Sequence, residues 1–100
     1  MKQNAITKSA RGEDCAIRLP GYCNGDTQTT VFAHLASVRF GHGMGHKGPD
    51  QLGSYACSAC HDCIDYRLRT HYTTQELKIA HYEGIFETML KLIKKGLINV

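Results

Sequence analysis

The sequence contains no tryptophan, only two prolines, and only five tyrosines and three phenylalanines. A folded core must therefore lean on Ile, Leu, Val and Met. No apolar run approaches the roughly 20 residues that cross a bilayer as a helix. The polar opening stretch, Met1 to Ala10, lacks the apolar segment of a secretory signal. The expectation is a soluble, cytoplasmic protein with no membrane partner and no small-molecule cofactor. The net charge of +3 is far from the strongly basic balance of a histone-like protein, so it permits nucleic acid as a partner without requiring it. What is present suits one globular domain spanning residues 1–100, since 42% of the residues are hydrophobic and single cores are commonly built at this length.

Five cysteines in a chain of this kind argue against a disulfide scaffold, because the cytoplasm keeps thiols reduced and an odd count leaves one unpaired. Their spacing suggests a different use. Cys57-Ser58-Ala59-Cys60 has the two-residue gap that lets two sulfurs converge on one ion. Cys15 and Cys23 form a wider pair, and Leu19-Pro20-Gly21-Tyr22 between them has the residues of a turn that folds the second thiol back to the first. Two such pairs make an S4 site suited to a structural Zn2+. The competing reading is a set of buried apolar cysteines plus a redox C-x-x-C. A redox motif normally opens a helix after a buried strand in a βαβ unit, and no such unit is visible. Cys63 is left over and reads as a packing residue.

Along the chain, residues 1–12 read as a flexible or partly helical arm carrying Lys2, Lys8 and Arg11. Thr29 to Leu35 is β-branched and aromatic, as a strand requires. Residues 41–50 are too glycine-rich for regular structure and read as a long exposed loop, with His42 and His46 solvated. Gln51 to Ala56 fits a returning strand, and Cys57 opens a helix carrying His61, Ile64 and Asp65. The clearest helix is 73–95. Thr73 and Glu76 make a capping box, and Lys94, Lys95 and Gly96 mark its end. Ile79, Tyr82, Ile85, Phe86, Met89, Leu90 and Ile93 recur at helical spacing and read as the face packed on the core, with Glu83, Glu87, Lys91 and Lys94 outside.

The order is therefore strand with His34, loop, strand, cysteine pair, then a helix opening on His61. This is a ββα-metal layout. Phosphodiester hydrolysis needs a base that activates water and a cation that neutralises phosphate charge. His34 is placed to be the base, and His61 and Asp65, four apart on one helix face, could hold the cation between them. Arg67 and Arg69, just beyond, are candidates for contacting DNA phosphates. Taken singly, these residues have plainer readings as a packed strand histidine, a helix cap and a solvated charged face.

Arg11-Gly12-x-x-Cys15, Pro20-Gly21-x-Cys23-Asn24-Gly25, Ala33-His34 and Ala56-Cys57-Ser58-Ala59-Cys60-His61-Asp62, with Ile64-Asp65, closely resemble the YbcO-like prophage proteins. Those are small cysteine-rich members of the HNH nuclease superfamily. The resemblance runs from about Arg11 through the last helix, and Cys-Ser-Ala-Cys-His-Asp is its most specific part. It implies zinc at Cys15, Cys23, Cys57 and Cys60, His34 as general base, and His61 as a ligand of the catalytic metal. There are two departures from the wider superfamily. Ala33 stands where many relatives place an acidic ligand, so either Asp65 supplies the carboxylate or the catalytic metal site is weak or absent. The residue that orients the base has no clear match, and Asp50 is nearest by position.

The expectation is thus an α+β fold, a small zinc-stapled ββα-metal (HNH-like) core with an added C-terminal amphipathic helix. It would be a phage- or prophage-encoded endonuclease acting on DNA in the bacterial cytoplasm, with structural Zn2+ and catalytic Mg2+, Mn2+ or Zn2+. The alternative is a non-catalytic zinc module that binds nucleic acid or a phage protein. Indifference to His34 and Asp65 would distinguish it.

Overall fold

The computed structural model describes residues 5–35 and 52–98; Asp50, His42, His46 and the rest of the glycine-rich stretch lie outside the described residues. The chain forms helix α1 (Ala5–Lys8), a single 3-10 turn at Thr27–Thr29, strands β1 (Val31–His34) and β2 (Gly53–Ala56), and helices α2 (Ser58–Ile64) and α3 (Thr74–Lys94). The strands pair antiparallel, with Phe32 opposite Tyr55 and His34 opposite Gly53. This is a small α+β fold in which a strand pair is covered by helices, the last of them long. None of the helices is long and apolar enough to cross a membrane, among the described residues.

A two-stranded sheet leaves backbone groups unpaired along its outer edges, and burying them unpaired costs free energy. Every residue of β2 is buried, so each exposed edge group there needs a partner from elsewhere. At Tyr55 two different elements meet this need. Its N–H donates to Thr88 Oγ1 on α3 at 2.9 Å, and its carbonyl accepts from the N–H of Ala16 at 2.7 Å. The expected N-terminal arm is tied down from the same side. Ser9 shares a 2.7 Å hydrogen bond with the Tyr55 hydroxyl, and Glu13 pairs with Lys95 at 2.8 Å.

The core lies in two parts. One surrounds the cysteines and includes Ile17, Leu19, Ala33, Ala56, Ile64 and Leu77. The other joins Ala10, Ala16, Phe32, Tyr55 and Leu92. A buried tyrosine and buried cysteines thus carry much of what the composition assigned to aliphatic residues.

Both ends of α3 follow the residues that mark them. Thr73 and Glu76 form the reciprocal capping box. At the other end Gly96 adopts φ +73°, and the N–H of Leu97 reaches back to the Leu92 carbonyl at 3.0 Å, the Schellman closure that a C′ glycine permits.

The face of α3 differs from the expectation. Ile79, Tyr82, Phe86 and Leu90 are exposed, and only Ile85 of the expected core stripe is fully buried, with Met89 and Ile93 half-buried. The helix instead lies on the strands through Leu77, His81, Gly84, Ile85, Thr88 and Leu92. The reason is closeness of approach. A Cβ at Gly84 would sit 3.1 Å from both Ile17 Cγ1 and Ser54 Cβ, so only a face with small residues fits there. Thr88 on that face also supplies the acceptor that β2 needs. Polar and small residues pack inward because the sheet demands it, and the more apolar stripe is left on the outside.

Candidate functional site

Two groups of side chains carry chemistry. The first is the cysteine cluster. Leu19-Pro20-Gly21-Tyr22 is a tight turn, with Gly21 at φ +85° and the N–H of Tyr22 on the Leu19 carbonyl at 3.1 Å, as Pro then Gly dictate in a type II turn. It returns the chain so that Cys23 meets Cys57, their sulfurs 3.8 Å apart. One ligand atom from each of Cys15, Cys23, Cys57 and Cys60 lies within 4.8 Å of every other. Four thiolates at 2.3 Å from a tetrahedral zinc have sulfur–sulfur edges of about 3.8 Å, so this cluster is sized for such an ion.

Its backbone is also arranged for thiolates. The N–H groups of Arg18, Leu19 and Cys60 point at the sulfurs of Cys15, Cys60 and Cys57 at 3.4, 3.5 and 3.4 Å. Arg18 adopts φ +47° to make the first of these, a left-handed conformation that costs a non-glycine residue about 1 kcal/mol. The hydrogen bond between Cys15 and Cys60 pulls the Cys15 thiol down to about 4, while the same contact and burial push Cys60 far up. Cys63 is buried outside the cluster, its thiol pushed up by burial.

The second group lines an open cavity of about 230 Å³ between the end of β1, the end of α2 and the first turns of α3. Leu35, Ile64 and Leu77 are its apolar lining. His34, Asp65, Tyr66, Lys78, His81 and Tyr82 are its polar rim. Asp65 stands just past the helix, as the C-cap of α2. Tyr66 follows at φ +61°, which turns the chain sharply there. His61 is joined to the cavity through Asp65, its Nε2 3.1 Å from Oδ2. The contact is a direct i,i+4 pair at hydrogen-bonding distance, with both side chains about one-third exposed.

Asp65 has a second partner. The Arg67 guanidinium bridges it at 3.0 Å and Asp62 at 2.9 Å. Arg67 is therefore committed to carboxylates, and Arg69 remains as the exposed cation of that segment without an ion pair, among the described residues. The cysteines are the one cluster of three or more potential metal ligands among the described residues, so His34, His61 and Asp65 do not close on a single point.

Sequence reasoning missed His81. It is buried on α3, lines the same cavity as His34, and its Nε2 is 3.1 Å from the carbonyl of Ala33. A carbonyl can only accept, so Nε2 carries the proton. The contact pins the backbone next to His34, whose ring also rests edge-on against Phe32 at 5.1 Å between centroids. The available signal was the position of His81 among small and apolar residues at helical spacing, once the inner face of α3 is known.

Comparison with known proteins agrees with this architecture. The family described as "Putative nuclease YbcO" matches residues 4–97. Proteins of that name from Escherichia coli K12 and from Enterobacteria phage 82 are each 42% identical over 95 residues, which cover 94% of this chain and 96% of theirs. A solved structure, described as that of a putative bacteriophage protein from Escherichia coli K-12, superposes with a TM-score of 0.76 at 38% identity over 91% of this chain and 99% of that one. The chain belongs to the YbcO family of phage-related proteins, named as nucleases.

Proposed function

We propose that this chain is an HNH-type endonuclease that hydrolyses DNA phosphodiester bonds, with His34 as the general base. The observation that carries the reading is the shared cavity. A strand histidine, a carboxylate joined to the first histidine-bearing helix, and Lys78 open onto one space. His34 takes the proton from the attacking water, and Lys78 stands where it can offset charge on a phosphate. His81 holds the Ala33–His34 backbone in place and is a positioning residue. His61 and Asp65 would hold a divalent cation, Mg2+, Mn2+ or Zn2+, which when bound would supply Lewis-acid neutralisation of the phosphate. Arg67 must release Asp65 for that to happen, and an incoming phosphate is a natural acceptor for its guanidinium. Arg69 is the second candidate for the DNA backbone. Asp50 keeps its proposed orienting role on sequence position alone. Zinc at the four cysteines would take no part in the chemistry, and would tie the N-terminal loop that carries Cys15 and Cys23 to the start of α2.

The test is incubation of metal-supplemented protein with linear, nicked, branched and single-stranded DNA. Cleavage is expected, falling by about a hundredfold or more in His34→Ala, the scale of a lost general base. Cleavage unchanged in that variant removes the assignment. A second reading, a non-catalytic zinc module binding nucleic acid, is favoured by Ala33 at the acidic-ligand position and by the pairing of Asp65 with Arg67. It predicts salt-sensitive DNA binding without cleavage.

A further inference from the structure

Apart from Lys78 and Tyr82, which line the cavity, the outer face of α3 is not accounted for by the fold. Ile79, Phe86 and Leu90 are 56, 66 and 64% exposed, on the side of the helix opposite Leu77, His81, Gly84 and Thr88. Exposed Ile79, Tyr82 and Phe86 and half-buried Met89 and Ile93 are spaced alternately three and four residues apart, which is the spacing of a heptad seam of one helix against another. We infer that α3 is the seam of a parallel, two-fold symmetric dimer of this chain.

Charge selects the occupant and its direction. With Ile79, Phe86 and Ile93 at heptad position a, and Tyr82 and Met89 at d, Lys78 falls at g and Glu83 at e. A parallel, in-register pair sets g of one helix against the next e of the other, so each Lys78 meets a Glu83, twice by symmetry. An antiparallel pair sets e against e and g against g, and neither flank then offers a charge of opposite sign. Glu83 and Glu87 bordering the stripe also suit a helix better than an anionic lipid surface. The α3 helix is already formed and capped in the monomer, so association adds no cost of ordering it.

The exposed parts of the stripe amount to roughly 100 Å² per large side chain. With the rim residues the pair would bury about 1,000–1,200 Å² in total, at the low end of specific interfaces. A dissociation constant on the order of tens of micromolar is the expectation. Lys78 and Tyr82 also line the cavity, so a parallel pair carries both cavities at the same end. The dimer itself does not depend on the nuclease reading.

Sedimentation equilibrium of the zinc-loaded full chain, from about 1 μM to several hundred μM, reads this directly. Wild type should pass from monomer to dimer across that range. Phe86→Glu should stay monomeric while keeping its zinc and its melting temperature, since the residue is exposed. Lys78→Glu and Glu83→Lys should each weaken self-association about tenfold, and an equal mixture of the two should re-form a heterodimer. The dimer is overturned by a wild-type protein that is monomeric throughout, or by Phe86→Glu associating as wild type does. The parallel arrangement is overturned if the mixture associates no better than its components.

Discussion

Replacing Cys60 by serine should unfold this protein, not merely loosen it. Cys57 and Cys60 are fully buried, and Cys15 is nearly so. Around them pack Ile17, Leu19, Ala33, Ala56, Ile64 and Leu77, which join the N-terminal turn, β1, β2, α2 and α3. A structural zinc site contributes about 10–16 kcal/mol of apparent binding free energy at neutral pH, whereas a domain of this size has a net stability of about 5–15 kcal/mol. Loss of the ion therefore removes an amount comparable to the whole stability. The thiols left behind are buried and crowded together, so they cannot all ionise without a cation. The assay has two readouts, metal content per chain by elemental analysis and thermal unfolding by circular dichroism with and without a strong chelator. Wild type should carry close to one zinc and melt cooperatively. Cys60→Ser and chelated wild type should show neither property. Since thiols must lose protons to bind metal, acidification should strip the ion in the same way. A metal-free protein that melts at the wild-type temperature would refute the reasoning, because the four sulfurs would then be ordinary core packing.

Thr88→Val keeps the shape of the side chain but leaves the buried Tyr55 N–H without its acceptor. It should cost about 1–3 kcal/mol, measured by denaturant unfolding, and a neutral result would mean that another acceptor replaces Thr88. The Arg18–Glu87 pair is bidentate, at 2.9 and 2.7 Å, and Arg18 holds the Glu87 carboxyl below its ordinary value of 4.5. A depressed folded value means the stabilisation is present above about pH 4.5 and is lost as pH falls through the lower folded value. Arg18 is 57% exposed, so solvent screening limits the effect to about 0.5–1 kcal/mol. Glu87→Gln should narrow the gap in melting temperature between pH 7 and pH 3, and an unchanged gap would show the pair to be energetically silent.

Local chemistry was legible in the sequence wherever the cause is local. Pro20-Gly21 specifies its turn because proline presets one dihedral and glycine permits the next. Thr73, Glu76 and Gly96 mark the ends of α3 because each closes a backbone group within a few residues. The two-residue gap of Cys57 and Cys60 fits an ion because of bond lengths, whatever surrounds it. The order of His34, the cysteine pair and His61 likewise sufficed to suggest one strand–strand–helix unit.

What the sequence could not convey depends on contacts between distant segments. Periodicity found the most apolar stripe of α3, but the strands select for close approach and hydrogen bonding, so Gly84 and Thr88 face inward and Phe86 faces out. The same contact buries His81 beside Ala33, a relation between residues 48 apart that no local pattern encodes. Arg67 reads as a free cation in the sequence and is found between two carboxylates, because the turn after α2 folds it back on Asp62 and Asp65. The sequence by itself thus determined the strand pair, the helix after the cysteine pair, the long capped helix and the four cysteines that cluster. Only the tertiary structure decided which face of α3 is core and which side chains share the cavity, since those outcomes rest on the geometry of packing between elements.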